Sequence, residues 1–271
     1  MDPRLQRRVQ RYGWNKAARH YERFWAEQLR PAQDLLMQFA ALGRNERVLD
    51  LACGTGLVSF RAADAIGPGG ALAATDISED MVAAISADAA ARGVAGDFRR
   101  MDAEVLDFPD GSFDAVLCAL GLMYVAEPAN ALREMHRVLA PAGRAVAVVW
   151  GARKNCGWAE IFPIVERRIV GEVCPLFFML GTGDALAQEF ARAGFSSVRA
   201  SRLEASVTFP SADDAIGAAF LGGPVALAYS RFDEADRAGA HQEYLDSIAA
   251  YRDGNAYHVP GEFVAVAGSR S

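Results

Sequence analysis

Three short stretches of the sequence combine residue types that could bind a nucleotide-like cofactor. In the first, residues 48–56 (VLDLACGTG), an apolar run ends in small residues that include Gly54 and Gly56. Glycines lack Cβ, so a ligand can lie against the backbone at such a turn. Asp76 and Asp102 each stand at the end of a further predicted strand, where a carboxylate can accept hydrogen bonds from ribose hydroxyls or an adenine amine. Each feature alone also occurs in ordinary turns, but the three together favour a cofactor site.

The elements that would position these residues follow from an alternation of short apolar and helical segments. This alternation is typical of a parallel sheet that is covered by helices on both faces. The predicted strands are residues 47–52, 71–76, 97–101, 113–119 and 144–149. The predicted helices lie near residues 57–66, 78–92 and 128–139, with Ser78 as an N-cap and Pro128 near a helix start. Because parallel strands end at a common edge, the glycine turn and both acids are expected to meet there.

The segments on either side of this core do not show the alternation of short apolar and helical segments. Residues 1–45 read as two helices, the first including Leu5, Val9 and Tyr12 and the second covering 14–41. Beyond residue 150 we predict helices near 184–193, 212–221 and 232–251, a half-exposed edge strand at 203–209 and a last strand near 258–267. The predicted fold is α/β: a Rossmann-like, doubly wound, mostly parallel sheet of seven strands with an antiparallel edge pair. We expect one domain over 1–271, with a helical lid (1–45), a cofactor-binding core (46–150) and a cap with C-terminal strands (151–271).

Composition excludes several classes of protein. The chain has 271 residues, 52% of them hydrophobic, and a formal net charge of −6, which disfavours a nucleic-acid binder held by positive charge. No secretory signal is recognised, and the longest apolar runs, 115–126 and 215–229, are shorter than the roughly 20 residues that span a bilayer, so we expect no stable membrane insertion. Cys53, Cys118, Cys156 and Cys174 show no close pairing pattern. We therefore expect reduced thiols, a cytoplasmic protein and no metal site.

Three segments together resemble the class I S-adenosylmethionine-dependent methyltransferases, in their quinone-methyltransferase-like small-molecule branch. They are VLDLACGTG (48–56), ATDIS (74–78) and residues 100–144, which begin RMDAEVLDFPDGSFDAV. The resemblance covers about residues 47–150. One position departs from the family pattern, because Ala52 stands where the first glycine of the turn is usual.

The resemblance implies S-adenosyl-L-methionine as the cofactor and assigns residues to its parts. The residues implied around the methionine part, where the acid would orient the turn and the amino group, are Asp50, Ala52, Gly54 and Gly56. Those implied around ribose and adenine are Asp76, Ile77, Met81, Asp102 and Ala103. Leu120 would flank the transferable methyl group. The N-terminal helices cover the site in related proteins, so Trp14 and Tyr21 are candidate lid contacts, although plain core packing explains them equally well.

Methyl transfer from a sulfonium is an in-line displacement that needs orientation more than a fixed catalytic residue. An acceptor that carries a proton needs a base, and the candidates are Tyr124, His20 and His241. Each has an ordinary structural explanation as well: Tyr124 as a packed aromatic, the histidines as common surface or core residues. The apolar residues of the cap, such as Trp158 and Phe177, could enclose an apolar or aromatic acceptor, but they could equally pack the cap or form a homodimer interface.

Three other functions compete with a small-molecule methyltransferase. An RNA methyltransferase is opposed by the acidic balance of the chain and by the lack of a basic, aromatic-interleaved segment. An NAD-dependent oxidoreductase is disfavoured because a GxGxxG pattern aligned on Ala52 and Gly54 would need a third glycine at Leu57. A cofactor-binding regulator without catalytic activity would lack an acceptor pocket. Finally, Arg4, Arg7, Arg8 and Arg11 share one face of the first helix, which favours a solvated surface over contact with an anionic lipid or a phosphorylated substrate.

Overall fold

A mixed sheet of eight strands forms the centre of the computed structural model, which describes residues 2–169 and 177–271. The strands are β1 (Arg47–Leu51), β2 (Ala71–Asp76), β3 (Asp97–Arg100), β4 (Phe113–Ala119), β5 (Leu139–Trp150), β6 (Ser196–Phe209), β7 (Arg252–Asp253) and β8 (Ala256–Ser269). Their order is β3-β2-β1-β4-β5-β8-β6, and β7 pairs only with β8. Strands β1 to β5 are parallel, whereas β8 runs antiparallel to both β5 and β6. The predicted fold class is confirmed, with the short β7 in addition to the seven expected strands.

Helices cover both faces of the sheet and its carboxyl edge. They are α1 (Pro3–Trp25), α2 (Arg30–Ala40), α3 (Ser59–Ile66), α4 (Glu79–Arg92), α5 (Pro128–Val138), α6 (Ile161–Glu166), α7 (Ala185–Arg192), α8 (Ala212–Ile216), α9 (Ala226–Tyr229) and α10 (Glu234–Ser247). The Ser78 hydroxyl accepts a hydrogen bond from the backbone N–H of Met81 (3.1 Å), so Ser78 is the N-cap of α4 as predicted. Within the described residues, no helix is both long enough and apolar enough to cross a membrane.

The break between the first two helices was predicted wrongly. Helix α1 continues through Gly13 and Trp14 to Trp25, and α2 begins only at Arg30. Gly13 is buried in α1, where the side chain of Leu227 packs against it. Pro31 lies in the first turn of α2. A proline inside a continuous helix would clash with the preceding turn, so a new helix begins here.

Two strands begin earlier than predicted. Strand β5 starts at Leu139 rather than residue 144, because Leu139 pairs with Phe113 before a shift in register. Ala142 lies in that irregular stretch with φ +64°, and its N–H donates to the carbonyl of Arg270 (2.9 Å). Strand β6 starts at Ser196, since its pairing with β8 extends to Ser269 and supports a polar segment that has no alternating pattern.

The end of the predicted 212–221 helix also differs. Helix α8 ends at Ile216, and the chain continues as a π-helix from Gly217 to Leu221. The ring of Phe24 in α1 packs where a Cβ of Gly217 would lie, so this segment is fitted closely against α1. Cys174, one of the cap thiols, lies outside the described residues.

Candidate active site

The turn after β1 is shaped by backbone conformations that side chains rarely adopt. Ala52 and Gly54 both have φ +56°, and Gly56 has φ +97°. The N–H of Gly54 donates a hydrogen bond to Asp76 Oδ2 at the end of β2 (2.9 Å). The turn and the neighbouring strand end are thereby held together, as expected for strands that share a carboxyl edge.

The carboxylate of Asp76 is buried and held in place by the backbone. Its Oδ1 accepts the N–H of Ser78 (2.9 Å), while Oδ2 accepts that of Gly54. Burial raises the pKa of Asp76, and the backbone hydrogen bonds act against this rise. Each oxygen has a second lone pair, so the carboxylate can still accept hydrogen bonds from two hydroxyl groups of a ligand.

The carboxylate of Asp102 already has a partner on α1. Its Oδ1 accepts the N–H of Glu104 (3.0 Å), and its Oδ2 lies 3.1 Å from Nε of Arg7. The same guanidinium donates to both oxygens of the buried Glu104, at 3.2 and 2.5 Å. A ligand amine at Asp102 would therefore share this carboxylate with Arg7.

A cavity with an empty volume of about 720 Å³, partly open to solvent, lies between this edge of the sheet and α1. The structure brings eleven of the predicted site residues together in its wall: Trp14, Tyr21, Ala52, Gly54, Asp76, Ile77, Met81, Asp102, Ala103, Leu120 and Tyr124. Their contacts with a cofactor stay predictions, but their convergence on one cavity meets the geometric requirement.

Two residues of the predicted cofactor-binding set do not line this cavity. At Gly56, a Cβ would lie 2.7 Å from Ile85 and 2.8 Å from Phe60, so this glycine permits close packing of α3 and α4 on the turn. Asp50 lies in β1 below the turn, next to a second pocket with an empty volume of about 350 Å³. The role of Gly56 at the methionine part of the cofactor stays a prediction, and Asp50 lines the adjoining pocket.

Both candidate histidines lie outside these pockets. His20 is half-buried on α1 beside Arg19 and Phe24, and its Nε2 lies 3.0 Å from Nε of Arg19. His241 on α10 hydrogen-bonds to the hydroxyl of Tyr229 (2.9 Å). Burial lowers the pKa of each imidazole, and nearby arginines lower it further. Neither histidine is placed to act as a base on a ligand in the described cavities.

Asp50 has an unusual environment for a carboxyl group. It is buried, its Oδ2 accepts a hydrogen bond from the hydroxyl of Ser59 (2.5 Å), and its Oδ1 has no hydrogen-bond partner in the described structure. Burial raises the pKa of Asp50 to about 7. A cationic group in the adjoining pocket, which Gln33 and Tyr21 also line, would satisfy Oδ1 and favour the ionised form.

A third pocket, with an empty volume of about 340 Å³, adjoins the main cavity and is aromatic. Its wall consists of Trp14, Tyr21, Trp25, Leu29, Leu120, Met123, Tyr124, Trp150, Trp158, Phe177, Gly223 and Pro224. We call it the aromatic chamber. Tyr124 forms edge contacts with Trp14 (ring centroids 5.0 Å apart) and Phe177 (5.2 Å). No charged side chain lines the chamber among the residues that the structure describes.

Tyr21 and Leu120 are shared by the main cavity, the Asp50 pocket and the aromatic chamber. Burial and the carboxylates of Asp76 and Asp50 raise the pKa of Tyr21 far above its usual value. Its hydroxyl therefore stays protonated and can donate a hydrogen bond, but it is a poor base. These two residues mark the point where the three spaces meet.

Arg7, Gln10 and Glu104 line the main cavity, although the sequence reasoning did not select them. Arg7 does not belong to a solvated basic face, contrary to the expectation from sequence, because its guanidinium pairs with Asp102 and Glu104. One feature of the sequence could have indicated that this part of α1 faces the cavity: Gln6 and Gln10 lie among apolar residues on the inner side of the helix, where both are buried.

The residues present fit S-adenosyl-L-methionine. The buried Asp76 faces the main cavity with acceptor capacity for ribose hydroxyls, and Asp102 with Ala103 provides an acceptor and a backbone N–H for an adenine edge. The unpartnered Oδ1 of Asp50 suits the ammonium group of an amino acid. A Cβ at Gly54 would project toward Tyr21, 3.7 Å away, into space that a ligand would otherwise use.

Comparisons with known proteins agree with this geometry. Residues 48–143 match a family model described as a methyltransferase domain. The ubiquinone/menaquinone biosynthesis C-methyltransferase UbiE of Rhodopseudomonas palustris is 36% identical over 146 residues, which cover 53% of this chain and 56% of that protein. The demethylmenaquinone methyltransferase of Thermus thermophilus is 35% identical over 141 residues, covering 52% and 62%. The chain thus spans only about three fifths of the length of these relatives.

Solved structures extend the similarity beyond the core. Phosphoethanolamine N-methyltransferase 2 of Haemonchus contortus, bound to S-adenosylhomocysteine and phosphomonomethylethanolamine, superposes with a TM-score of 0.61 at 14% identity, covering 94% of this chain and 57% of that one. The chain therefore has the class I methyltransferase fold. The matching domain over residues 48–143 agrees with the resemblance to S-adenosylmethionine-dependent methyltransferases, and the residues that line the main cavity fit that cofactor. The comparisons give no support to an NAD-dependent oxidoreductase.

Proposed function

We propose that the protein transfers a methyl group from S-adenosyl-L-methionine to a small apolar or aromatic metabolite. The observation that carries this proposal is the aromatic chamber next to the cavity that fits the cofactor, with Tyr21 and Leu120 in the walls of both. A regulator that only binds the cofactor would have no use for an enclosed second pocket at this point. Relatives named for quinone biosynthesis add support, because quinone precursors are rings of this class.

The bound cofactor would supply a methyl group activated on a sulfonium. Asp76 and Asp50 would hold its two polar ends, while α1 with Trp14 and Tyr21 covers the cavity and excludes water. Leu120, which has φ +59°, presents its side chain where the three pockets meet. The protein would therefore act mainly by fixing the direction of approach.

The aromatic chamber would hold the acceptor. Its rings can stack on a planar ligand, and the absence of a charged side chain among its described residues disfavours a phosphorylated or zwitterionic acceptor, which would lose its hydration without a partner. The groups that can hydrogen-bond to an acceptor hydroxyl there include the hydroxyls of Tyr21 and Tyr124. The indole N–H groups of Trp25 and Trp158, which have no partner in the described structure, are further donors in this wall. We assign Tyr124 to position an acceptor hydroxyl, since Tyr21 also borders the Asp50 pocket.

A mass-shift assay with methyl-labelled cofactor tests the acceptor class. We expect the full chain to methylate a hydroxylated naphthalene or benzene ring and to leave phosphoethanolamine unmodified. Tyr124→Phe should lower kcat on the ring while the affinity for S-adenosylhomocysteine is unchanged. Methylation of phosphoethanolamine in place of the ring would contradict the proposal, as would a ring acceptor that reacts equally fast in Tyr124→Phe.

The remaining assignments belong to the same proposal. The acidic balance of the chain supports a small molecule over a nucleic acid as the acceptor, and cytoplasmic location follows from the interpretation of its cysteines as reduced thiols. One buried apolar cluster includes residues of the lid, the core and the cap, which supports a single domain that unfolds in one transition. The homodimer stays a prediction, which light scattering tests.

A further inference from the structure

Helix α1 carries a charge opposite to that of the whole protein. Its 23 residues include six arginines and Lys16 but only one acid, Glu22. The complete chain has a formal net charge of −6, so positive charge is concentrated on this helix. Such local segregation produces a positive potential at one face even when the molecule as a whole is acidic.

The cations of α1 divide into two groups by their partners. On the side that faces the domain, Arg7 pairs with Glu104 (2.5 Å) and Arg11 with Glu79 (2.7 Å). On the outer side, four exposed or largely exposed cations have no carboxylate within ion-pair distance in the described residues: Arg4, Arg8, Lys16 and Arg19. These four cations are not needed to hold α1 in place.

Apolar side chains lie among these outer cations. Leu5 is 45% exposed and Tyr12 is 44% exposed, which is unusual for large apolar residues in this protein. Both line an open groove between α1, α4 and residues 227–231, where Arg8, Lys16, Arg19 and Arg231 are the cations and Asp80 is the acid. We call the exposed residues Arg4, Leu5, Arg8, Tyr12, Lys16 and Arg19 the outer stripe of α1.

We propose that the outer stripe of α1 docks on the surface of a bilayer that contains anionic lipids. The stripe runs from Arg4 to Arg19, about 22 Å of helix at about 1.5 Å per residue, which suits a layer of phosphate groups better than one small ligand. Leu5 and Tyr12, which lie among these cations, add exposed apolar surface that can enter the headgroup region. An acidic protein partner would require matched positions along the stripe, whereas lipid headgroups can adjust to it.

Docking in this orientation would place α1, which covers the main cavity, at the membrane surface. The opposite side of α1 carries Trp14 and Tyr21, which line both the main cavity and the aromatic chamber. An apolar acceptor dissolved in the bilayer would then be close to the chamber. This consequence rests on the proposed function, whereas the docking itself rests only on the charge and exposure of α1.

Vesicle sedimentation with the full chain tests the docking separately from catalysis. We expect binding to vesicles of phosphatidylcholine with phosphatidylglycerol, weakened by salt, and little binding to phosphatidylcholine alone. Arg8→Glu with Lys16→Glu should reduce the affinity at least 25-fold, because each cation near an anionic surface contributes about fivefold. The matched control is Arg133→Glu with Arg192→Glu, which changes two exposed arginines of α5 and α7 by the same charge and should bind like the wild type.

The outcomes separate cleanly. The proposal would be overturned if the Arg8/Lys16 variant bound vesicles as well as the wild type, or if the wild type bound both kinds of vesicle with the same affinity. Absence of binding to every vesicle would also overturn it, and is the result expected if a protein covers this face. Unchanged affinity for S-adenosylhomocysteine and an unchanged unfolding midpoint would show that the variant is folded. Leu5→Ser with Tyr12→Ser provides a second variant, which should bind anionic vesicles several-fold more weakly. Loss of methyl transfer alone would bear on the proposed function and not on docking.

Discussion

At the scale of single residues, Asp76 has a structural role and a predicted binding role. Its carboxylate holds the N–H groups of Gly54 and Ser78 and faces the main cavity. We predict that Asp76→Ala weakens S-adenosylhomocysteine binding by about 1–3 kcal/mol, because charge-assisted hydrogen bonds to ribose are lost. Calorimetric titration measures this, and Asp80→Ala, an exposed neighbour on α4, is the control that should bind normally. Unchanged affinity in Asp76→Ala would refute the ribose assignment.

Asp50 should make cofactor binding depend on pH. Because the pKa of Asp50 is raised to about 7 in the ligand-free protein, the carboxyl group is largely neutral below that pH and cannot pair with an ammonium group. Affinity for S-adenosylhomocysteine should therefore rise with pH through about 7, by up to about tenfold per unit below the pKa. Titrations at several pH values measure this slope. It should disappear in Asp50→Asn, and a slope retained in that variant would show that another group is responsible.

The same raised pKa has a consequence for stability. An acid with a folded-state pKa above its unfolded value binds its proton more tightly in the folded chain. The ligand-free protein should therefore lose stability as the pH rises from about 4 to about 7, and a bound ammonium group would offset that loss.

Residues on strand ends could be predicted from sequence, but residues on lid helices could not. Gly54, Asp76 and Asp102 follow strands whose direction fixes where they point, and all three line the main cavity. Arg7 and the two histidines lie on helices whose rotation depends on packing between distant segments. Gly56 is assigned to the ligand from sequence, but a glycine in a turn can also serve a neighbouring helix, and only the structure shows Ile85 and Phe60 packed against it.

At the scale of elements, the turns after β1 and β4 are fitted to each other. A Cβ at Gly121 would lie 2.5 Å from Cβ of Ala52, so glycine at 121 leaves room for the alanine that departs from the family pattern. We predict that Gly121→Ala lowers the free energy of unfolding by about 1–3 kcal/mol through this overlap, and that adding Ala52→Gly restores part of it. Urea unfolding of the two single variants and the double variant gives the coupling. Strict additivity would mean that the turns do not interact.

The elements of the core were easier to predict than those around it. Strands β1, β2 and β4 are short, apolar and bounded by turn residues, so local pattern determines them. The first half of β6 is polar and exists because β8 pairs with it along its length. Pairing between segments some 70 residues apart leaves no local signal.

At the scale of the whole molecule, α1 is attached to the core by polar contacts at several points. Arg7 pairs with Glu104, Asn15 accepts the Ser78 hydroxyl (2.6 Å), and the side chain of Gln6 donates to the carbonyl of Tyr124 (3.1 Å). These contacts hold α1 as a roof over the main cavity. Movement of α1 away from the cavity should therefore require that they break.

We predict that Arg7→Ala favours opening of this roof by about 1–2 kcal/mol, or roughly five- to thirty-fold, because the buried Glu104 loses its cationic partner. Hydrogen exchange of α1 amides should accelerate by that factor, and S-adenosylhomocysteine should dissociate faster. Arg8→Ala, whose side chain has no such pair in the described structure, is the matched control and should exchange like the wild type. Equal exchange in both variants would show that Arg7 does not fasten the helix.

The place of β8 between β5 and β6 bears on how the chain reaches its native state during synthesis. Strands β1 to β5 pair with one another through residue 150, so the half that carries the glycine turn and both acids can assemble early on the ribosome. Strand β6 emerges long before its partner and must wait, unpaired, for about 50 further residues. We expect nascent chains that stop short of β8 to expose β6 to chaperones and proteases, while the half that carries the turn is already compact.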